Sequence, residues 1–196
     1  MAPNFKIIVA GDQQVRTFID KYPVELKLAL SKGAIAIALE LVNSIKLKLS
    51  GDVLNVRSGR LRSSVQAIVK EGELSQEVKV GGSAAGGTNV SYAAIHEFGG
   101  MIFPQSATYL TVPLAGMHTR AGVVRHSAAS LPDSFVKRSR AGNLIIFQKV
   151  DNMAVPMFLL KASVQMPERP FVKPSVLDIQ ERAAEIVQPF IDQIGN

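Results

Sequence analysis

Residues 24–49 read VELKLALSKGAIAIALELVNSIKLKL, the most strongly patterned stretch of the chain. Pro23 precedes it and Ser50-Gly51 follows it, which are typical boundaries of one long helix. Apolar residues cover most of the helix surface, and the narrow polar stripe consists of Glu25, Lys32, Glu40 and Asn43. Such a helix has to be covered on two sides. We expect the chain's own sheet on one side and a second subunit on the other.

Charge and the amino terminus both argue against a membrane protein. Residues 24–49 contain six charged side chains, so we expect this helix not to span a bilayer. Residues 1–6 lack the basic-then-apolar order of a signal peptide. We therefore expect a soluble chain that is not exported by that route and has no membrane partner.

Shorter elements surround the long helix. Residues 5–9 are predicted to form an edge strand, followed by a helix that Asp12 would cap and that would end near Lys21. Alternating apolar residues at 65–69 and 76–80 predict a β-hairpin, and the glycine-rich residues 81–88 predict a flexible loop.

Further strands and a last helix complete the pattern. The strands are predicted at 109–114, 144–150 and 155–164, and an amphipathic helix is predicted at 175–194, which Pro189 should kink or end early. The order predicts an α+β fold with a mainly antiparallel sheet, packed against the long helix and the C-terminal helix. A length of 196 residues fits a single domain, residues 1–196.

Positive charge is concentrated in one part of the chain. The net charge is +6, and residues 101–150 alone carry six Lys/Arg against one Asp. Within them, residues 115–142 show no periodicity, and we interpret them as a basic excursion from the sheet, partly helical between Arg120 and Ser130. This excursion is either a solvated loop or a surface for phosphate or an acidic partner. The residues that would face DNA or a partner are Arg120, Arg125, Lys137, Arg138 and Arg140.

The motifs of the common enzyme classes do not occur in the sequence. There is no cysteine, which removes thiolate nucleophiles and thiolate metal ligands. His96 and Glu97 are adjacent, so on a helix they point about 100° apart and do not share a metal. Neither HExxH, nor GxSxG, nor a phosphate-binding glycine loop is present. We therefore predict no catalytic, metal or cofactor site, and a protein that is not an enzyme.

Two short segments have compositions suited to assembly surfaces. Residues 92–100, YAAIHEFGG, predict one or two helical turns stopped by glycine; residues 166–174, MPERPFVKP, predict an extended, proline-stiffened arm that leads into the last helix. Arg169 would pair with a carboxylate, for which Glu97 is one candidate, and Phe171 would fill a pocket in another subunit or in its own core. The interface candidates are Tyr92, His96, Glu97, Phe98, Gly99, Arg169, Pro170, Phe171 and Pro174.

With a third segment, these two form an ordered set. Ser58-Gly59-x-Leu61-x-x-Ser64 comes first, then Tyr92-Ala93-x-x-His96-Glu97-Phe98-Gly99, then Arg169-Pro170-Phe171-x-x-Pro174 before a terminal helix. This set resembles the neck and tail-completion proteins of tailed bacteriophages, which include the virion-morphogenesis proteins of Mu-like phages. The resemblance spans about residues 24–196, and the basic residues 115–142 depart from the shorter members.

The resemblance implies a structural protein of the virion, assembled in the host cytoplasm and located at the head–tail junction. It implies a ring-forming subunit, with a hexamer favoured, that contacts adjacent neck or connector and tail-tube proteins. Duplex DNA would pass through the ring close to the protein without sequence-specific contacts. The alternative from another class is a basic nucleic-acid-binding protein that acts free in the cytosol.

Overall fold

The computed structural model describes residues 5–9, 24–56, 58–83, 89–90, 92–119 and 122–194. The chain has an α+β fold with antiparallel sheets, as predicted. It divides into two compact units. We call Met1–Gly99 together with Pro167–Asn196 the helical unit, and Gly100–Met166 the inserted unit. The sequence predicted one domain with an excursion at 115–142; the inserted unit begins before that excursion and ends after it.

Helix α1 (Val24–Leu47) runs through most of the predicted range and continues into a π-helical turn, Lys48–Asp52. Within this turn Gly51 has a φ of 126°, which is unfavourable for residues with a side chain. By length and composition alone, Val24–Asp52 would also be able to cross a membrane. The charge argument against a membrane span was therefore too strong, because Lys32 and Glu40 are the only charged residues away from the two ends of this segment.

Three antiparallel strands form the sheet of the helical unit in the order β1–β3–β2. They are β1 (Phe5–Val9), β2 (Gln66–Ile68) and β3 (Gln76–Val80), which confirms both the edge strand and the hairpin. Helix α2 (Arg60–Ser63) precedes the hairpin, and β4 (Gly82–Ser83) pairs with β5 (Asn89–Val90) after it. The helix predicted to end near Lys21 and most of the predicted glycine-rich loop lie outside the described residues.

The core of the helical unit lies between its helices and its sheet. Its other helices, among the described residues, are α3 (Ala93–Phe98) and α4 (Val172–Ile191). The core residues come from elements far apart in sequence and include Leu41, Ile45, Val65, Val78, Val80, Phe171 and Ile179. Both the long helix and the C-terminal helix therefore pack as predicted. Helix α4 begins three residues earlier than predicted and continues past Pro189 to Ile191.

Helix α4 supplies part of the second cover that α1 requires. The two helices approach closely at Gly33, where an added Cβ would lie 3.0 Å from the Cγ atoms of Val187. Lys48, in the π-helical turn that follows α1, and Asp178 of α4 form an ion pair of 2.9 Å. We expected a second subunit to cover the surface of α1 that its own sheet does not cover. Part of that surface is covered by the chain's own helix α4 instead.

The inserted unit contains a four-stranded antiparallel sheet in the order β7–β10–β9–β8. Its strands are β7 (Leu110–Pro113), β8 (Ser134–Arg138), β9 (Leu144–Val150) and β10 (Met153–Lys161). Asp151 and Asn152, both with positive φ, make the two-residue turn between β9 and β10. A second pair, β6 (Gly100–Ile102) with β11 (Val164–Met166), joins the two ends of the unit.

The interpretation of residues 115–142 as an excursion from the sheet was wrong for part of its length. Ser134–Arg138 forms the edge strand β8, in register with β9. The helix predicted between Arg120 and Ser130 is reduced, among the described residues, to a 3-10 turn at Ala128–Ser130. The unit has a small core of its own, formed by Met117, Leu131 and Phe158.

Candidate assembly site

The YAAIHEFGG segment forms the short helix α3, and Gly99 ends it as predicted. Gly99 has φ 64° and ψ −166°, a backbone conformation that is almost restricted to glycine. Within the helix, Tyr92 and His96 are one turn apart and their rings meet edge to face, with centroids 5.8 Å apart. The helix therefore has a fixed end, and its last residues, Glu97 and Phe98, are held in defined positions.

Glu97 caps the N-terminus of helix α4 from 74 residues upstream. Its Oε2 accepts hydrogen bonds from the backbone N–H of Phe171 at 2.8 Å and of Val172 at 2.9 Å, and its Oε1 accepts from Lys173 N–H at 2.8 Å. Phe171, the N-cap residue, makes no side-chain cap bond. The first four backbone N–H positions of a helix lack partners within it. The fourth position here is Pro174, which has no N–H, so this helix start leaves no donor unsatisfied.

Backbone groups stabilise the carboxylate of Glu97, which has no cationic partner among the described residues. The side chain is only 4% exposed, and its partners are three backbone donors at the positive end of the helix dipole. Glu97 was one candidate partner for the Arg169 side chain, but its hydrogen-bond partners in the structure are these backbone groups instead. Arg169 instead uses its backbone N–H, which donates to His96 O at 2.7 Å.

The Ser58–Ser64 segment, the first in the ordered set, is also connected to α3. Ser64 ends helix α2, is buried, and accepts a hydrogen bond from Gly81 N–H at 3.2 Å. A Cβ on Gly81 would lie 3.1 Å from Val90 O and 3.2 Å from the Cβ of Ala93, the first residue of α3. The three segments are thus connected through Ser64, Gly81, α3 and the start of α4, and we call this connected set the framework. Gly59, and not Ser58, occupies the N-cap position of α2.

The nine interface candidates differ in how the fold uses them. Glu97 and Phe171 are buried, and Phe171 is fully enclosed in its own core. The arm is shorter than predicted, because Met166 belongs to β11 and Pro174 lies in the first turn of α4. Phe98 is 67% exposed, and the other exposed candidates are Tyr92 and Arg169. His96, Gly99, Pro170 and Pro174 are partly buried. Phe98 is therefore the candidate best placed to contact another chain.

The basic candidates concentrate at one strand. Lys137 and Arg138 are exposed on β8, and Arg140 follows in the turn to β9, whereas Arg120 lies outside the described residues. The Arg138 guanidinium donates to Gly142 O at 2.9 Å and so braces that turn. Arg125 lies in another loop, where its Nε donates to His118 O at 3.2 Å. Sequence reasoning missed the strand, although two adjacent strand-favouring residues, Phe135 and Val136, followed by a Gly-containing turn, were a usable signal.

In the described residues, no group of three or more His, Asp or Glu side chains is placed to hold a metal ion. Comparisons with protein-family models, with curated proteins and with solved structures find no significant match. The function proposed below therefore depends on the three sequence segments and on the contacts that connect them.

Proposed function

We propose that this protein is a structural subunit of a tailed-phage virion, a ring-forming neck or tail-completion protein at the head–tail junction. The observation that carries the proposal is the carboxylate of Glu97, which joins two of the three segments of the resemblance at the start of α4. The resemblance was based on sequence alone, and the cap formed by Glu97 gives residues of two of its segments a common structural role, which supports the proposal.

The framework supports an assembly role through what it leaves on the surface. Glu97 fixes the end of α3 to α4, so the adjacent Phe98 is presented from a rigid position. A large exposed aromatic side chain on a rigid element is a suitable anchor for a protein interface. The contacts next to Phe98 are the backbone hydrogen bonds of Glu97 and the apolar packing of Phe171, and they fix the backbone from which Phe98 projects.

The proposal is tested by the mass of the purified protein in solution. Light scattering behind a sizing column, with class averages from negative-stain images, should show a closed ring whose mass is a multiple of the 21.1 kDa chain. A hexamer with a central hole wide enough for duplex DNA is the expected form.

A monomer that binds duplex DNA tightly, with affinity that falls steeply as salt rises, would favour the alternative of a free nucleic-acid-binding protein. A monomer with little affinity for DNA calls for the same measurement with added connector or tail-tube protein, because some ring subunits close only on a partner. Failure to assemble there as well would contradict the proposal.

A further inference from the structure

The positive charge of the protein follows the division into two units. The inserted unit contains seven Lys/Arg and two Asp/Glu, whereas the helical unit contains fifteen and fourteen. Nearly all of the net charge of +6 thus belongs to the smaller unit. The four strands β7 to β10 contain no Asp or Glu, and their basic residues are Lys137, Arg138, Lys149 and Lys161.

One face of this sheet combines three of the lysines. Cross-strand partners share a face, and side chains alternate along each strand. Lys137 pairs with Ile145, which pairs with Leu159, and Lys161 is two residues beyond Leu159. Lys149 is two residues beyond Phe147, which shares this face because it is two residues from Ile145. All three lysines are exposed, and none has an ion-pair partner among the described residues.

The centre of the same face is apolar and only half covered. Ile145, Phe147 and Leu159 are partly exposed there, whereas the opposite face carries Ile146 and Phe158 into the core of the unit. Lysines on an edge strand commonly prevent strand pairing between molecules. That explanation applies to Lys137 but not to Lys149 and Lys161, because β9 and β10 are inner strands.

An aromatic pair stands at the edge of this face. The rings of Phe135 and Phe147 are nearly parallel, with centroids 5.8 Å apart and an interplanar angle of 16°. Phe135 is 41% exposed on the edge strand, so part of the side chain is accessible to a ligand. A planar ligand would extend this stack outward.

We propose that this face binds single-stranded nucleic acid, with an unstacked base on Phe135 and phosphates beside Lys137, Lys149 and Lys161. The apolar centre and the partly exposed ring favour single strands, because duplex DNA keeps its bases stacked inside and offers only phosphate to such a surface. This inference does not depend on ring formation. If the protein forms a ring but does not bind single strands, this inference is wrong and the proposed function is unaffected.

The first test is fluorescence anisotropy of the full-length protein with an oligonucleotide of about 20 thymidines, the same length of uridines, and a duplex of that length. We expect both single strands to bind at least about tenfold more tightly than the duplex. Phe135→Ala should weaken single-strand binding by roughly 5- to 150-fold, the range of base–aromatic stacking, and Phe135→Trp should retain it. Phe103→Ala, at a 62% exposed position outside strands β7 to β10, is the matched aromatic control and should have no effect.

The second test is the salt dependence of the same binding. Replacing Lys137, Lys149 and Lys161 together by Gln should reduce the slope of log K against log salt by about 2, because each phosphate contact to a single strand contributes about 0.7. The control replaces Lys32, Lys70 and Lys173 of the helical unit, which are also exposed, and removes the same charge.

Equal losses in the two lysine variants would overturn the proposal, because binding would then follow net charge alone. Equal affinity for duplex and single strands, with no effect of Phe135→Ala, would also overturn it. If oligonucleotides fail to bind but polyglutamate binds and is lost in the sheet variant alone, the face is a docking surface for an acidic protein and the proposal is wrong. Circular dichroism of every variant has to match that of the parent protein.

Discussion

Glu97 combines burial, charge and three hydrogen bonds in one side chain, so its replacement should affect folding more than any exposed position. Glu97→Ala leaves three backbone donors without partners, and each buried unsatisfied donor costs about 1–3 kcal/mol. We expect a loss of at least about 3 kcal/mol in the free energy of unfolding. Urea denaturation followed by circular dichroism measures it.

Two variants separate the cap from a general effect of charge. Glu97→Gln keeps the shape but turns one acceptor into a donor that faces backbone N–H, so it should also be destabilising, though less so than alanine. Glu168→Gln removes the same charge from a nearby exposed position and should be neutral within about 0.5 kcal/mol. If Glu97→Gln were as stable as the parent, the cap would not hold α4.

Gly81 tests the contact between the Ser64 segment and α3. Its φ is +80°, and an added Cβ would lie 3.1 Å from Val90 O and 3.2 Å from the Cβ of Ala93. Gly72 has a similar φ of +77° but no neighbouring atom within 4 Å. Gly72→Ala should therefore cost about 1–2 kcal/mol from backbone strain alone, and Gly81→Ala should cost more. Equal unfolding free energies for the two variants would show that the close approach contributes nothing.

At the scale of elements, the contact of α1 with α4 depends on the small residue at position 33. Gly33→Ala gains up to about 1 kcal/mol of helix propensity but places a methyl group 3.0 Å from both Cγ atoms of Val187. Overpacking of this kind typically costs about 1–3 kcal/mol. We expect a net loss of stability, partly restored by Val187→Ala. A double-mutant cycle in urea should give a favourable coupling energy, and strict additivity would contradict the contact.

The elements that the sequence predicted well are those with a strong local pattern. The apolar run of α1 and the alternation in β2 and β3 are properties of neighbouring residues, and both were placed correctly. Glu97 was singled out, but its partner was wrong, because sequence indicates charge pairs and gives no sign of backbone donors 74 residues away. Strand β8 was missed because its segment was judged by composition, which conceals the strand-favouring pair Phe135-Val136 among serine, basic and glycine residues.

For the whole molecule, the two units should have separable roles in assembly. The framework around Glu97 lies in the helical unit together with Phe98, whereas most of the net charge lies in the inserted unit. If the ring forms through the helical unit, Phe98→Ser should lower the assembled fraction at a given concentration. Leu177→Ser, at a half-exposed position of α4, is the matched control and should leave it unchanged.

Neutralising the basic residues at the end of β8 should leave ring assembly unchanged, in contrast to Phe98→Ser. Arg138→Gln with Arg140→Gln removes two charges from β8 and the turn after it, and we expect ring mass by light scattering to be unchanged. Because Arg138 also braces Gly142 O, Arg140→Gln alone is needed to separate charge from turn geometry. Loss of the ring in both variants would indicate that the end of β8 and its turn form part of the interface between subunits. Loss in the double variant only would make Arg138 the residue that the ring requires, through its charge or through its hydrogen bond to Gly142 O in the turn.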